Sequence, residues 1–506
     1  MTTFGRPGVY VQENLVQQSI VVDNRSDAIG AFIGSLPKGP TAPTLISSWS
    51  EFTKAFGGLN YSYPVSSAVY LFFSNGGRDT YIRRVNGSGA AVAHKAILDD
   101  ADATTFTVNA VNAGTWGNDI SVEILETDGD RFSIVVYGAP LTIGGDLRSN
   151  VLEQFNDLSM NTTDSRYVVP TVNSFSAYIS IADEETGNTP AYGSGLQALS
   201  TGANGAAPAR ADISAIFTDF DDIETPLLFN IPDAANWETE ANSYGVAADL
   251  LEYAEARGDA FVIIDTPAGK TAAEAVSYAA SVKSTNVGSN GAVYYPWLTI
   301  PDTSRSTPGV TRGHAPGGAI VGQYQATDTA RGVFKTPAGY NTRLSIAVGL
   351  ESKLTNDSLD TLNSANTPVN AIRVTPGAGI VVMGGRTLSN TSPNRYINMR
   401  RSLIYLKKEL TDRSQFAVFE NNDEGLWNQI TSSLSNFLNI YWQQGGLRGT
   451  SPDQAFYVKC DSTTTSQSDI VNGRVNIQIG VALEYPAEFI VITIGQITGS
   501  ASVTQG

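Results

Sequence analysis

The feature that most constrains this chain is an alternation of short apolar runs and longer amphipathic stretches in its middle. Residues 226–231, 261–265 and 292–300 have the composition of buried strands, whereas 237–257 and 272–283 have the length and periodicity of helices. Strands that alternate with helices pair in parallel and are covered by those helices. The pattern therefore predicts a layered α/β domain over about 206–365.

Strand and helix signals continue on both sides of this stretch. Before it, the sequence predicts a strand at 28–36, helices at 49–56 and 65–73, and a strand at 80–85. After it come a strand (380–383), two helices (396–410 and 426–442) and three strands (456–460, 475–483 and 489–494). From Val475 to Leu483 every second residue is apolar, which predicts a strand with one buried face.

Residues 95–205 differ in character from the rest. Strand-like runs at 106–111, 120–125 and 131–137 are separated by Gly, Asn and Asp turns, which predicts a mostly β insertion, and 181–210 reads as its exit linker. The fold class predicted is thus a multidomain α+β and α/β protein. Its predicted parts are an N-terminal arm (1–24), a first core segment (25–94), the outward-facing insertion (95–205), the α/β domain (206–365), a C-terminal inner domain (366–485) and a C-terminal strand or arm (486–506).

Composition excludes several classes of function. The net charge of −17 opposes binding to nucleic acid or to anionic membranes. Cys460 is the sole cysteine, so neither an intrachain disulfide nor a cysteine-based zinc site is available. The sequence shows no apolar signal region at its start and no apolar run long enough for a membrane helix. These features predict a protein that is made in the cytoplasm and is soluble until it assembles.

One segment resembles a phosphate-binding loop. The residues from Asp265 to Thr271 follow an apolar strand and open a helix, and they include Gly269 and Lys270. The Walker pattern needs a glycine where this chain has Ile264, and Pro267 removes a backbone amide that would contact phosphate. A tight strand-to-helix turn is the better interpretation, and nucleotide binding by this loop stays open as the lesser alternative.

Other polar residues give no catalytic or metal-site pattern. His94 and His314 are far apart and lack the spacing of a helical metal site. The acidic pairs at 99–100 and 221–222 lie in no calcium-binding loop pattern and are typical of solvated turns. We therefore predict no catalytic residue, no cofactor and no metal, and hence a structural protein.

A basic segment stands out against the acidic chain. Residues 395–413 contain six basic and two acidic residues. On a helix, Tyr396, Met399, Leu403, Leu406 and Leu410 would form an apolar face. Beside that face, a basic stripe is predicted from the side chains of Arg400, Arg401, Lys407 and Lys408. This stripe is either a solvated outer face or a docking surface for an acidic partner.

Several short motifs resemble those of phage-type contractile tail sheath proteins. In the N-terminal part they are RPGVYVQE (6–13), FGG (56–58), AVYLFFSNGG (68–77) and YIRRV (81–85). In the C-terminal part they are RGVFKTPA (331–338), GGRTL (384–388), RYINMRR (395–401), VFEN (418–421), GGLRG (445–449) and PAEF (486–489). The likeness covers about 1–90 and 310–506, and it is weak over 95–205, where such proteins carry variable insertions.

The resemblance implies a structural subunit that polymerises as stacked six-fold rings around a tail tube. It implies contraction without ATP, which drives the tube through a cell envelope. The implied partners are other copies of the chain, the tail tube protein, and baseplate and tail terminator proteins, with no nucleic acid and no membrane insertion. The implied location is a virion tail, with assembly in the host cytoplasm. A static shell or baseplate protein is the structural alternative.

Two sets of contact residues follow from this interpretation. The basic stripe of Arg400, Arg401, Lys407 and Lys408 is expected to face the tube. The extended ends are expected to add strands to a neighbouring subunit's sheet. The residues expected in that strand exchange are Val9, Tyr10, Val11, Phe489 and Val491.

Overall fold

The computed structural model describes residues 28–127, 129–141, 145–184, 187–237, 239–283, 288–305, 307, 309–391 and 394–488. Within them the chain divides into an α/β unit, formed by 28–412 with 485–488, and a C-terminal unit, formed by 413–484. The sequence placed a boundary at 365/366. The last two strands of the main sheet lie beyond that boundary, and the division follows Asp412 instead.

The elements are numbered in chain order over the described residues. The strands are β1 (Ile29–Gly34), β2 (Thr44–Ile46), β3 (Thr80–Arg84), β4 (Ala90–Ala91), β5 (His94–Leu98), β6 (Thr104–Ala110), β7 (Ser121–Glu126), β8 (Arg131–Tyr137), β9 (Val151–Ser159), β10 (Ile179–Asp183), β11 (Gln197–Ala198), β12 (Ala203–Asn204), β13 (Leu227–Asn230), β14 (Ala260–Asp265), β15 (Gly291–Tyr295), β16 (Leu298–Pro301), β17 (Thr311–His314), β18 (Gly349–Leu350), β19 (Asn370–Thr375), β20 (Gly379–Val382), β21 (Phe456–Lys459) and β22 (Gln478–Val481). The helices are α1 (Trp49–Phe56), α2 (Pro64–Ser74), α3 (Val168–Asn173), α4 (Arg210–Ser214), α5 (Glu240–Arg257), α6 (Ala272–Lys283), α7 (Gly317–Arg331), α8 (Asn356–Ser364), α9 (Ile397–Asp412), α10 (Glu424–Gln443), α11 (Pro452–Ala455) and α12 (Gln467–Val471).

An eight-stranded sheet organises the α/β unit in the order β2-β3-β1-β13-β14-β15-β19-β20. The six inner strands are parallel, and β2 and β20 close the two edges in the antiparallel sense. The inner strands are buried almost throughout, as expected for a parallel sheet that is covered on both faces. The mixed α/β and α+β fold class predicted from the sequence is confirmed.

Two apolar cores form on the two faces of this sheet, because successive side chains of a strand point to opposite faces. Phe32 and Phe261 belong to the core under α1, α2, α7 and α9, whereas Ile33 and Val262 belong to the core under α5, α6 and α8. Helices α2 and α7 meet especially closely. A Cβ added at Gly318 would lie 2.1 Å from the carbonyl oxygen of Ala68, so this crossing requires glycine.

The segment predicted as a β insertion is confirmed as β-rich. A three-stranded sheet (β10-β6-β5) and a four-stranded sheet (β11-β7-β8-β9) share one apolar core, in which Phe106 stacks on Phe132. Strands β4 and β12 pair where the chain enters and leaves it, with Ala91 opposite Ala203. The predicted exit linker at 181–210 therefore carries β11, β12 and the end of β10, since these short strands complete sheets begun earlier in the chain.

Most predicted elements lie within two residues of their observed bounds. Two predicted strands differ more, because one is split and the other is shortened. The strand predicted at 292–300 is split into β15 and β16 by Pro296, which has no amide hydrogen for a sheet. The strand predicted at 475–483 is limited to β22, although Val475 and Ile477 are half-buried between exposed neighbours, as the alternation predicts. The strand predicted at 489–494 lies outside the described residues.

The C-terminal unit packs the long helix α10 with the β21–β22 ribbon. Asp423 caps α10 by accepting a hydrogen bond from the amide of Leu426 at 3.0 Å. One side of the helix is buried, at Leu426, Trp427, Ile430, Leu434, Phe437, Leu438 and Tyr441. Cys460 is buried as a free thiol in this unit.

Candidate functional site

The basic segment forms the helix α9, but its four candidate residues do not form one exposed stripe. Arg401 is only 3% exposed and pairs through both guanidinium nitrogens with Asp328 of α7, one contact measuring 2.8 Å. Its guanidinium carbon lies 4.7 Å from the centre of the Tyr324 ring. The predicted exposure of Arg401 is therefore wrong, because its charge is already matched inside the subunit.

The helix is turned relative to the predicted apolar face. Its buried apolar residues are Ile397, Met399, Ile404, Tyr405 and Leu406, whereas Leu403 and Leu410 are half-buried. Arg401 lies one turn after Ile397 and one turn before Ile404, so it belongs to the buried side. A buried arginine on an apolar face cannot be told from an exposed one by spacing alone. Its partner Asp328, 73 positions away, gave no signal in the sequence.

The other three basic residues differ in exposure. Arg400 is half-buried and donates from Nε to Oδ1 of Asn290 at 2.8 Å. Lys407 is exposed, and Lys408 forms an ion pair with Asp412 one turn later at 2.8 Å. The positive charge that α9 presents to solvent is therefore centred on Lys407, with the half-buried and paired Lys408 beside it.

Among the residues that the structure describes, the ribbon of the C-terminal unit has the open edges that strand addition requires. Phe456 pairs with Val481 and Lys459 with Gln478 in an antiparallel ladder. Within the described residues the ribbon has two strands, extended only by a single bridge between Leu447 and Leu483. Edge strands of this kind present unpaired backbone groups that can pair with another chain.

The predicted strand-exchange residues themselves, Val9, Tyr10, Val11, Phe489 and Val491, lie outside the described residues. The last described residue of the chain, Glu488, accepts a hydrogen bond from Arg386 at 2.7 Å within the α/β unit. This contact joins two of the motifs quoted above, GGRTL and PAEF. The sequence did not indicate it.

Several polar groups of the loop from Asp265 to Thr271 are engaged by the protein's own carboxylates. Lys270 pairs with Glu240 at 2.6 Å, and the amide of Gly269 donates to Glu351 at 2.9 Å. Thr271 and Glu274 cap the start of α6 reciprocally. These contacts favour the interpretation of a tight strand-to-helix turn, since the groups that would contact phosphate face carboxylates instead.

The histidines and the acidic residue Asp99, considered above as catalytic or metal-binding candidates, do not come together in one site. His94 is exposed on the insertion, with Nδ1 3.0 Å from the hydroxyl of Thr201, whereas His314 is buried at the end of β17. Asp99 closes a turn by accepting from the amides of Ala101 and Ala103, and these hydrogen bonds lower its pKa. Across the described ranges, no three His, Cys, Asp or Glu side chains come together as a metal site. Nor is any described helix long and apolar enough to cross a membrane.

Comparison with known families decides where this chain belongs. Residues 187–388 match the model of the phage tail sheath protein central domain, and residues 389–497 match that of the phage tail sheath C-terminal domain. The chain belongs to the phage tail sheath protein family. The two matches meet without a gap at 388/389, between β20 and α9. A comparison with curated proteins found no match.

Solved structures share the sheath fold over nearly the whole chain. A chain in the anti-feeding prophage (AFP) baseplate structure is 21% identical, with a TM-score of 0.58 and coverage of 98% of this chain and 99% of that one. A chain in the contracted PVC sheath complex, from an extracellular contractile injection system, is 20% identical, with a TM-score of 0.54 and the same coverage. A sheath tail protein from Desulfitobacterium hafniense is 14% identical, with a TM-score of 0.57 and coverage of 89% of this chain and 93% of that one. At these identities the likeness is one of fold.

Proposed function

We propose that this sheath protein is the subunit of a contractile tail. In this role it stacks as six-fold rings in a helical lattice around a tail tube and shortens to drive the tube through a target envelope. The observation that carries the proposal is the uninterrupted match of 187–497 to both sheath domains. The likeness in fold to a sheath described as contracted supports it further.

The C-terminal ribbon supports a specific mode of assembly. A contracting lattice must keep its subunits linked while they slide and rotate, and an extended arm paired to a neighbour's sheet edge can do so. Such a head-to-tail contact propagates into a helix and does not close as a dimer. In this proposal, residues 8–22 of one subunit and the segment after Pro486 of another extend the β21–β22 ribbon of a third.

Exposed apolar side chains in the same unit also support self-association. Phe419 is fully exposed and Val418 is 60% exposed, in the loop between α9 and α10. The backbone of Phe419 has a φ of +67°, which is unfavourable for a bulky residue. Exposed apolar side chains of this kind are typical of a contact surface. Assembly would cover it.

The α9 surface is proposed to face the tube through Lys407 and Lys408, with Arg400 at its margin. Arg401 takes no part in this contact, because its guanidinium is buried on Asp328. The insertion is proposed to project outward. Its separate core and its β4–β12 connection support that proposal, since the sheath lattice would then not depend on it.

Electron microscopy of the purified chain tests the proposal. Expressed with its tube protein, the chain is expected to form striated tubes that occur in a longer, narrower form and a shorter, wider form. A static shell protein would give one diameter under all conditions. Assemblies that contain this chain but never shorten would overturn contraction while leaving the family assignment intact.

A further inference from the structure

The main sheet has a topological switch point next to an unassigned cavity. From β1 the chain moves to β3 on one side, whereas from β13 it moves to β14 and β15 on the other. Ligands of open α/β sheets bind in the crevice at the carboxyl ends of such strands. Here a cavity of about 120 Å³ is lined by Pro232, which follows β13, and by Asp265, the last residue of β14.

Two other residues that line the cavity carry polar atoms without a partner. Oγ of Ser67 and Nε2 of His314 are buried, and among the described residues neither has a hydrogen-bond partner. Buried polar groups in folded proteins are almost always hydrogen-bonded, so each such atom calls for an explanation. Both belong to residues at most 9% exposed.

Asp265 supplies the charge of the cavity. Its Oδ1 accepts from the amide of Gly317 at 2.6 Å, and its Oδ2 accepts from Asn230 at 2.9 Å. Each carboxylate oxygen has room for a second hydrogen bond. Because this carboxylate already occupies the N-terminus of α7, the position where an anion would bind is filled by the chain itself.

The surroundings of Asp265 favour a cation that donates hydrogen bonds. Burial lowers the pKa of His314 to about 4, so its ring is neutral and one of its nitrogens is an acceptor. Arg312 also lines the cavity and pairs with Asp302 at 3.1 Å, and its positive charge helps to lower the pKa of His314. The aromatic ring of Trp297 completes the lining, and such a ring attracts small organic cations. The Tyr61 ring is already covered by the Arg312 guanidinium, whose carbon lies 4.9 Å from the ring centre.

We propose that this cavity binds a small primary ammonium ion. Its N–H groups would donate to the Asp265 carboxylate, to the His314 ring and to Oγ of Ser67, with its alkyl group against Trp297. This binding would satisfy both unpartnered atoms. It is independent of contraction, since the cavity lies entirely within one α/β unit.

Thermal unfolding of the soluble full chain in matched salts tests the proposal. Burial raises the pKa of Asp265 to about 6, so the experiment is run well above pH 6, where its carboxylate is charged. At constant ionic strength, methylammonium chloride is then expected to raise Tm above its value in potassium chloride, because a ligand stabilises the state that binds it. Tetramethylammonium chloride, which has no N–H donor, is expected to leave Tm at the potassium value. Equal values of Tm in the three salts would mean that the cavity holds only water and would overturn the proposal.

Three variants and a control locate the site. Asp265→Asn, His314→Phe and Ser67→Ala each remove one acceptor, and each is expected to reduce or abolish the methylammonium effect. Ser67→Ala removes only one oxygen, which keeps the test valid if His314→Phe fails to fold. Lys270→Ala, outside the cavity lining, should keep the full effect. A response that persists in Asp265→Asn and in Ser67→Ala would place the ion elsewhere on the acidic chain and would refute the assignment.

Discussion

Arg401 of α9 and Asp328 of α7 form a doubly hydrogen-bonded ion pair whose side chains are 3% and 1% exposed. The Tyr324 ring covers the guanidinium, and its hydroxyl lies 2.7 Å from that of Tyr294. The pair thus joins the segment matched by the C-terminal sheath domain to the core of the central one.

We predict that breaking this pair destabilises the α/β unit strongly. Arg401→Ala leaves Asp328 buried and unpaired, which costs about 3–5 kcal/mol. Replacing both partners, as in Arg401→Met with Asp328→Leu, should restore much of that loss, because no buried charge remains. Urea unfolding monitored by tryptophan fluorescence measures the free energy of unfolding of the single and the double variant. The Lys408–Asp412 pair, which is far more exposed, supplies the control, since Lys408→Ala should cost at most about 1 kcal/mol.

Charge reversal on α9 tests its proposed contact with the tube. The double variant Lys407→Glu with Lys408→Glu should fold normally and fail to decorate tubes, because the exposed Lys407 and the half-buried Lys408 both change from positive to negative. The control variant, Lys54→Glu with Lys353→Glu, changes the net charge by the same amount at exposed positions outside α9. This control should assemble normally. Sedimentation with preformed tubes at low salt gives the comparison. Normal decoration by the α9 variant would mean that this helix faces another surface.

Removal of residues 1–20 tests strand exchange. The shortened chain should remain folded and monomeric and should not form sheath, because the proposed third strand of the neighbouring ribbon is missing. A chain whose first 20 residues are scrambled but keep their composition should behave in the same way. Contractile tubes formed by the truncated chain, seen by negative-stain microscopy, would disprove the arm mechanism.

The insertion should be dispensable for assembly. The amide of His94 donates to the carbonyl of Ser200 at 2.9 Å, so the ends of 95–199 are already adjacent and a short Gly-Ser turn can join them. The shortened chain should fold, because the removed segment takes its own core with it. Circular dichroism and microscopy check folding and tubes separately. Loss of all soluble protein would show that the insertion is part of the main fold.

Asp233 should make stability depend on pH. Burial raises its pKa to about 6, although its Oδ2 accepts from both the amide and the hydroxyl of Ser35. The folded state therefore binds a proton more tightly than the unfolded state, so the stability contributed by protonation is lost as pH rises from about 4 to 6. Asp233→Asn should remove its share of this dependence, leaving that of Asp265, whose pKa burial also raises to about 6, and should raise stability at neutral pH by on the order of 3 kcal/mol. The control variant Asp453→Asn, at an exposed position, should change neither the pH dependence of stability nor the stability at neutral pH.

Local patterns predicted much of the fold. The apolar runs of β1, β13 and β14 and the helix at 272–283 were recognisable because burial on both faces of a sheet, or on one side of a helix, leaves a periodic trace in nearby residues. The pairing of β1 with β13, nearly 200 residues later, left no such trace. The order of strands could therefore not be read from the sequence, and neither could the cavity beside the switch point.

The sequence by itself determined the elements, the β character of the insertion and the resemblance to sheath proteins, since each depends on residues close together in the chain. Only the tertiary structure decided which charges are available. Arg401 and Lys408 lie two turns apart on one helix and have the same charge, yet one is buried on Asp328 and the other is near solvent. The energy of a charge depends on what surrounds it in space, and those surroundings come from segments that are distant in sequence.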